Sequence, residues 1–392
     1  MKRILRISLD ILVTSVVPIA GWFLLGIILG GNLINVFSLT YPIQFIMNTF
    51  KSIFSTGANI SAYKDNNKNA VNSGILLGIV LGALIFGIII FNIEKYISFM
   101  NMDINTYKIF GIYSIIQIYL QLVLQFILTK LYYKEENKKA NKIAITFNLI
   151  NFITLIGTAI ITRDELITCI VSIFILLIYT IIIVIKNMEN FKISINLARC
   201  VKYDSVELFT SINFFIIYLF GLSNAFEFGE RYVLAITFST LVTDMQWDVT
   251  HAIGIVAKID LSKRKFSYKE HLKNAYKLIS MLIASIIIMS LTMYNSYNTD
   301  LLITGIFILG EILCFIMYPL YTIKTYYLQL EYSALKTTIH KQIANILRTI
   351  MSFIPTPYCT LIGQLVSMFY QLIYTKILAE KTKIYEINRE IN

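Results

Sequence analysis

A stretch of forty residues without a charged side chain constrains this chain more than any other feature. Residues 11–50 contain no Asp, Glu, Lys or Arg. A helix that spans the hydrocarbon core of a bilayer needs about 20 mostly apolar residues. The stretch therefore has room for one such helix and most of a second, and Gly30-Gly31-Asn32 is the predicted turn between them.

The composition extends this argument to the whole chain. Of its 392 residues, 57% are hydrophobic and 15% are charged, whereas soluble domains carry about 25% charged residues. A cytosolic enzyme is therefore excluded. The net charge of +11 would suit a nucleic-acid-binding protein, but in a membrane protein it indicates Lys and Arg in cytoplasmic loops, so we predict no nucleic-acid partner.

Further apolar segments set the number of helices. Seven further uncharged runs are long enough to span the membrane: 69–93, 109–129, 143–162, 166–185, 208–226, 278–299 and 349–375. Three more segments are apolar but interrupted by a few charges: 232–257, 301–323 and 333–353. They give eleven helices if 349–375 only completes the last one. We favour twelve, with a turn at Ile354-Pro355-Thr356-Pro357, because a Pro-x-Pro pair is not tolerated inside a helix. The predicted fold class is an all-α integral membrane protein with twelve transmembrane helices.

The basic residues test this count. In a twelve-helix topology the two termini and alternate loops share one side, which holds 26 of the 34 lysines and arginines, against 3 on the other side. One misplaced helix would exchange the sides of every later loop and remove this bias. The positive-inside rule then places both termini in the cytoplasm. We predict a multi-pass protein of the plasma membrane without a cleaved signal peptide.

The two halves of the chain resemble each other at a nearly constant offset. At offset 197, four residues of helix 2 match four of helix 8: Val36, Thr40, Tyr41 and Gly57 with Val233, Thr237, Phe238 and Gly254. At offset 194, three residues of helix 4 match three of helix 10: Gly111, Lys130 and Tyr133 with Gly305, Lys324 and Tyr327. This predicts two six-helix lobes, 1–188 and 204–392, joined by a cytoplasmic linker, 189–203, and related by a pseudo-two-fold axis along the membrane normal. Such parallel repeats are typical of secondary transporters, which bind substrate at the repeat interface near the midplane.

Glu311 is the first candidate for a functional residue. It follows Asp300 by eleven residues and precedes Lys324 by thirteen, so it lies at mid-membrane, where a charge is costly and usually functional. Its repeat mate Gln117 keeps a polar group at the same depth. A carboxylate there can exchange a proton or offer oxygen ligands to Na⁺. The alternative is a structural hydrogen bond to a neighbouring Tyr or Ser.

Helix 8 carries an acidic stripe. Asp244, Asp248 and His251 lie at positions i, i+4 and i+7, on one face of the helix. With Trp247 beside them, they suit a cavity that attracts organic cations. The alternative is a shifted helix with Asp248 and His251 at its cytoplasmic end. A pair between Asp248 and its repeat mate Lys51 is a further hypothesis.

Arg348 in helix 11 favours a different substrate. A lipid phosphate or pyrophosphate would need such a cation within the membrane, which supports a lipid or lipid-linked glycan flippase. The alternative is an ion pair with a carboxylate of helix 7 or 8.

Other functional classes lack their signatures. The sequence has no HExxH or GxGD motif and no P-loop, so neither protease chemistry nor ATP hydrolysis is expected. An acyltransferase would depend on His251 alone. Four scattered cysteines and three histidines indicate no disulfide framework and no metal site. We predict a protein that is not an enzyme and needs no cofactor.

Two segments around helix 2 resemble a known family. Ser38–Ile43 and Ser55–Asp65, together with Phe99–Met102 and Asn148–Asn151, are similar to the MATE (multidrug and toxic compound extrusion) exporters. The resemblance also fits the wider superfamily that contains lipid-linked oligosaccharide flippases. It implies a V-shaped, two-lobed monomer that exports organic cations or other amphiphiles by alternating access, in exchange for Na⁺ or H⁺.

The coupling residues of that family are only partly present. An acidic residue deep in helix 1 is missing, because Asp10 lies too near the cytoplasmic start. Glu207 lies at the start of helix 7, and the inner positions are Ser211 and Asn213. Glu311 matches a carboxylate in helix 10. We therefore predict ion coupling at Glu311, Asp244 and Asp248, a possible Na⁺ at Glu311, and a substrate cavity lined by Lys51, Gln117, Asn213, Trp247, His251 and Arg348.

Overall fold

The computed structural model describes residues 17–65, 67, 69–188, 194–262, 267–297 and 299–382. Predictions on Asp10, on the basic residues of 1–16, 263–266 and 383–392, on Lys68 and on the first part of the linker, 189–193, lie outside these ranges. Within them the chain is almost entirely helical and contains no β-strand.

The helices follow one another with short connections. In the first half they are α1 (Val17–Leu29), a 3₁₀ turn (Gly31–Ile34), α2 (Asn35–Lys51), a π-helical segment (Ser52–Gly57), α3 (Ala58–Lys64), α4 (Ala70–Phe91), α5 (Ile93–Phe99), α6 (Ile104–Tyr133), α7 (Asn137–Thr162) and α8 (Glu165–Asn187). The remaining helices are α9 (Leu197–Tyr203), α10 (Ser205–Phe226), α11 (Glu230–Ser262), α12 (Tyr268–Tyr297), α13 (Leu301–Glu331), α14 (Ala334–Ser352) and α15 (Cys359–Thr382).

Eight of the described helices are long and apolar enough to cross a membrane: α4, α6, α7, α8, α10, α12, α13 and α15. Helices α11 and α14 fall below this criterion because they carry the charges noted above. The α11 helix is nevertheless continuous from Glu230 to Ser262, so Asp244 and Asp248 lie in its middle rather than at an end. The count of twelve spans stays a prediction.

Two turns lie where the sequence predicts them. Gly30 has a φ of 148°, which a side chain would disfavour, and its carbonyl accepts a hydrogen bond from the Leu33 amide at 3.1 Å. The α14 helix ends at Ser352 and α15 begins at Cys359, so both prolines of the Pro-x-Pro pair lie in the connection.

Backbone contacts divide the chain into two compact units. The N-terminal unit comprises Ala20–Phe226, and the C-terminal unit contains the described residues from Glu227 onward together with those before Ala20. By contacts, α10 belongs to the N-terminal unit. The predicted lobe boundaries at 188 and 204 follow the sequence repeat and stay a prediction.

The N-terminal unit is built around α6, which packs against α2, α4, α7 and α8. Two buried pairs of its polar side chains are neutral hydrogen bonds: Tyr113 with Asn151 at 2.7 Å and Thr40 with Ser114 at 3.0 Å. Aromatic rings join α10 to α2, with Phe45 stacked on Tyr218 at a centroid distance of 5.3 Å.

The linker helix α9 is fixed to the same unit. Asp65 accepts hydrogen bonds from Ser61 at 2.7 Å and from Tyr203 at 3.0 Å, and pairs with Arg199 at 2.8 Å. A Cβ atom on Gly57 would lie 2.4 Å from the Cys200 carbonyl oxygen, so only glycine allows this approach of α9 to the π-helical segment. The predicted linker is therefore a docked helix in its described part.

The C-terminal unit packs α11 against α12 and α13, and α15 against α13 and α14. Trp247 of α11 stacks on Phe315 of α13 with ring centroids 4.2 Å apart. These contacts bring the interrupted helices α11, α13 and α14 together with α15, so the predicted intramembrane charges of this unit share one interior.

Candidate functional site

Glu311 lies in the first half of α13, about 15 Å along the helix from its first residue at a rise of 1.5 Å per residue. Two donors contact the same carboxylate oxygen: Trp247 Nε1 donates to Oε2 at 2.7 Å, and Gln364 Nε2 donates to it at 2.9 Å. The donors come from α11 and α15, so three helices fix the position of one carboxylate.

The second carboxylate oxygen of Glu311 differs from the first. Among the residues that the structure describes, both hydrogen bonds to this carboxylate go to Oε2, and Glu311 as a whole is half-buried. The carboxylate is thus oriented through one oxygen. The other oxygen of such a fixed carboxylate is the position at which a proton, an ion or a cationic ligand would bind.

The orientation of Trp247 is itself determined by packing. Its ring stacks on Phe315 at an interplanar angle of 19° and meets the edge of Tyr318 at 5.6 Å. A stacked indole has little freedom to turn, so its N–H stays directed at Glu311. This provides a preorganised donor in a region of low dielectric constant, where hydrogen bonds are stronger than in water.

Gln364 connects Glu311 to Arg348. The Arg348 Nη2 donates to Gln364 Oε1 at 3.1 Å, while Gln364 Nε2 donates to Glu311. Arg348 also interacts electrostatically with the Glu311 carboxylate. The sequence suggested an acid of helix 7 or 8 as an alternative partner of Arg348. Among the partners that the structure gives it are Gln364 of α15 and Glu311 of α13.

A second polar group lies next to this one in the same unit. His251 Nδ1 and the Tyr318 hydroxyl are 3.5 Å apart, and His251 interacts electrostatically with Asp248 and Lys341. Tyr318 lies seven residues, or two turns, after Glu311 on α13, and Lys341 lies two turns before Arg348 on α14. The residues of each pair therefore lie on the same face of their helix. Asp244, half-buried, lies one turn from both Trp247 and Asp248 on α11.

The remaining predicted cavity residues belong to the N-terminal unit. Lys51 ends α2 and interacts electrostatically with Asp204, which directly precedes α10. Asn213 is buried and donates to the Phe209 carbonyl at 2.9 Å, a bond within its own helix. Gln117 is partly buried in α6. A Lys51–Asp248 pair would join the two units and stays a prediction.

Sequence reasoning missed two members of the Glu311 environment. Gln364 is a polar residue inside the uncharged run 349–375, and this position could have marked it as a candidate for the site. Tyr318 had no signal, because the chain contains 25 tyrosines. Among the described residues, no group of three His, Cys, Asp or Glu side chains is placed to hold a metal ion.

Solved structures of similar fold cover nearly the whole chain. An inward-facing multidrug-resistance MATE family transporter of the MOP superfamily matches 95% of this chain and 96% of its own, with a TM-score of 0.70 at 11% identity. An outward-facing MATE family transporter matches 97% and 96%, with a TM-score of 0.64 at 13% identity. A MOP superfamily transporter from Pyrococcus furiosus, whose binding pocket of reverse polarity suggests a different function, matches equally well.

No protein-family profile matches the chain, and no curated protein matches it by sequence. The structural similarity shows the fold: this chain has the fold of MATE family transporters, as the resemblance around helix 2 implied. The three solved structures just named are described as transporters. Together with its apolar helices, the fold makes this chain a multi-pass membrane protein.

Proposed function

We propose that the chain is a secondary active exporter of cationic or amphiphilic small molecules, driven by exchange for a proton or Na⁺ through alternating access. The protein would work as a monomer with twelve spans in two six-helix lobes, in the plasma membrane, with both termini in the cytoplasm. The lysine and arginine bias and the helical repeat support this topology.

The carboxylate of Glu311 carries the proposal. It is fixed through Oε2 by Trp247 and Gln364, and both of these bonds leave Oε1 for a ligand. A carboxylate inside a membrane protein is expensive and therefore usually functional. A carboxylate that binds either the coupling ion or the cationic substrate, but not both at once, must release one to bind the other. This exchange at one site gives antiport.

The surroundings of Glu311 favour a proton over Na⁺. Both contacts to Oε2 come from N–H donors and not from oxygen atoms that could ligate a metal ion. Hard metal cations need several oxygen ligands, whereas a proton needs one oxygen. Asp244 and Asp248, on the face of α11 that carries Trp247, would attract the cationic substrate.

The test is transport into proteoliposomes of purified protein. A fluorescent cationic amphiphile is followed under an imposed proton gradient, an imposed Na⁺ gradient or neither, with protein-free liposomes as the control. We expect uptake under the proton gradient that ends when the gradient is dissipated. A rate of dye uptake that is the same with a proton gradient, with a Na⁺ gradient and with neither would contradict secondary active transport.

A flippase for an anionic lipid is the second candidate, favoured by Lys341 and Arg348 on one face of α14. The same proteoliposomes, loaded with a fluorescent lipid pyrophosphate instead of the dye, distinguish the two. Movement of the lipid without movement of any cationic dye would replace the exporter by the flippase.

A further inference from the structure

Three of the helices that build the Glu311 site also form a second polar group in the C-terminal unit. The α11, α13 and α14 helices each contribute one side chain to it: His251, Tyr318 and Lys341. His251 Nδ1 lies 3.5 Å from the Tyr318 hydroxyl oxygen, and the imidazole interacts electrostatically with Lys341 and with Asp248 of its own helix. The exporter proposal gives Glu311 a task but gives His251 none.

This second group lies between Glu311 and the cytoplasm. The predicted topology places the end of α11, the end of α13 and the start of α14 on the cytoplasmic side. On α13, Tyr318 lies about 10 Å nearer that side than Glu311, at a rise of 1.5 Å per residue. On α11, His251 lies about 6 Å nearer than Trp247 by the same rise. Lys341 lies two turns nearer the start of α14 than the arginine of the Glu311 site, so all three helices give the same order.

His251 is the accessible member of the second group. It is exposed, whereas Tyr318 and Lys341 are half-buried. Charged side chains such as Lys341 and Asp248 are costly in contact with hydrocarbon. The charges around His251 therefore indicate that its exposed ring faces water and not lipid, on the cytoplasmic side of Glu311.

An imidazole in these surroundings can both take up and release a proton. Histidine ordinarily changes its charge between about pH 5 and 8. The titratable and charged groups that face His251 are Asp248 on α11, Tyr318 on α13 and Lys341 on α14. A carboxylate attracts a proton to the ring and an ammonium group repels it, so the two charges act in opposite directions and both steps stay available.

We infer that His251 carries the exchanged proton between Glu311 and the cytoplasm. The inference rests on the proton antiport proposed above. When the cationic substrate enters the site, the Glu311 carboxylic acid loses its proton and becomes a carboxylate. Water passes this proton to the unprotonated ring nitrogen of neutral His251, which becomes an imidazolium ion. The imidazolium ion then gives the proton to cytoplasmic water, and the neutral ring is restored.

The matched positions of the N-terminal unit support this role. At offset 197 His251 corresponds to Phe54, and at offset 194 Glu311 corresponds to Gln117. Phe54 is 6% exposed and packs against Phe50 with ring centroids 5.5 Å apart. Neither a phenyl ring nor an amide takes up a proton near neutral pH. The unit with the intramembrane carboxylate therefore also has the imidazole, and the other unit has neither at these two positions.

Stopped-flow measurement of proton release tests the inference. Purified protein in weakly buffered detergent solution is mixed with a cationic amphiphile, and a pH indicator records how many protons are released and how fast. We expect His251→Gln to release as many protons as the wild type but about 100-fold more slowly, the lower end of what a positioned proton-transfer group contributes. His271→Gln, which removes the imidazole at the start of α12, is the control and should keep the wild-type rate.

Two further readouts separate proton transfer from a structural role of His251. Imidazole added to the solution should restore the rate of His251→Gln, because a diffusible imidazole can take the proton in place of the side chain. The wild-type rate should fall as the pH drops from about 8 to about 5, since a ring that is already protonated cannot accept a second proton. His251→Gln should lack this fall.

The outcomes distinguish this inference from the exporter proposal. Release by His251→Gln at the wild-type rate, or slow release that imidazole does not restore, would overturn the role of His251 and leave proton antiport in place. A wild type that releases no proton when it binds substrate would overturn both. The wild-type pH profile needs no substitution, and a rate that does not fall in acid would also overturn the role of His251.

Discussion

The two units differ most at the positions that the repeat matches. Glu311 of α13 corresponds to Gln117 of α6, and Asp248 of α11 corresponds to Lys51 at the end of α2. The C-terminal unit joins a carboxylate, a guanidinium group and an indole in one hydrogen-bonded group. The N-terminal unit contains neutral pairs such as Tyr113–Asn151. We propose that ion coupling uses the chemistry of the C-terminal unit alone.

The largest effect should come from removing the Glu311 charge. We expect Glu311→Gln to abolish gradient-driven transport, because glutamine keeps the shape but cannot take up a proton. Gln121→Leu, which removes a half-buried glutamine of α6 in the N-terminal unit, is the control and should keep transport near the wild-type rate. Both are measured by uptake of a cationic dye into proteoliposomes under a proton gradient. Equal rates for Glu311→Gln and the wild type would remove the distinction between the two units.

A smaller effect should follow from Gln364→Leu. This change removes a donor to Glu311 and an acceptor from Arg348 together, and leaving buried polar groups unpaired costs about 1–3 kcal/mol each. We expect a lower melting temperature and slower transport. Gln371→Leu, two turns further along α15, controls for the loss of a glutamine from that helix. Matching effects of the two substitutions would show that the Gln364 bridge is unimportant.

Gly57 and Gly254, which the repeat matches, allow the packing of the two units to be compared. A Cβ on Gly57 would meet the Cys200 carbonyl oxygen at 2.4 Å, whereas one on Gly254 would meet a ring carbon of Tyr326 at the same distance. Backbone yields less than a side chain, so Gly57→Ala should destabilise more than Gly254→Ala, within the range of about 1–3 kcal/mol for overpacking. Chemical denaturation in detergent measures this.

The control for both glycines is Gly87→Ala in α4, where a Cβ would meet nothing within 4 Å. Alanine is the better residue in a helix by about 0.5–1 kcal/mol, so this variant should be neutral or stabilised. A larger loss for Gly254→Ala than for Gly57→Ala would contradict the expected order.

Much of this organisation could be predicted from the sequence. Uncharged runs predicted the helices, two glycines and a Pro-x-Pro pair predicted turns, and the segments around helix 2 predicted the MATE fold, which the solved structures confirm. Glu311 could be singled out because a carboxylate interrupts an apolar run. These features are local, so a single pass along the chain detects them.

The partners of these residues could not be predicted. Gln364 is 53 positions and Trp247 is 64 positions from Glu311, and no periodicity encodes which helices pack together. The sequence places Lys130 in helix 4 but does not indicate that it is buried, because its burial depends on Asn72 and Asn187 from two other helices. The sequence shows where such a residue lies along the chain, whereas its hydrogen-bond partners and burial depend on tertiary contacts.

The smallest effect concerns the docked linker helix. The hydrogen bond from Ser61, together with Tyr203 and Arg199, holds the pKa of the Asp65 carboxyl below its usual value. A lowered native pKa contributes stability above the unfolded-state pKa, and that stability is lost as the pH falls through the native value. Asp65→Asn should therefore loosen α9 at neutral pH, and the difference from wild type should vanish in acid.

Hydrogen exchange of Leu197–Tyr203 measures this loosening. We expect faster exchange in Asp65→Asn at neutral pH, while Lys202→Gln, an exposed neighbour on α9, exchanges like the wild type. Exchange that is unchanged in Asp65→Asn would show that the close packing at Gly57, and not the Asp65 cluster, keeps α9 in place.

Proton release on substrate binding tests the central claim most directly. Purified protein in weakly buffered detergent solution is mixed with a cationic substrate, and the pH change is recorded for the wild type, Glu311→Gln and Gln121→Leu. We predict that the wild type and Gln121→Leu release protons as substrate binds and that Glu311→Gln binds without releasing any. Proton release by Glu311→Gln equal to that of the wild type would contradict the assignment of coupling to the C-terminal unit.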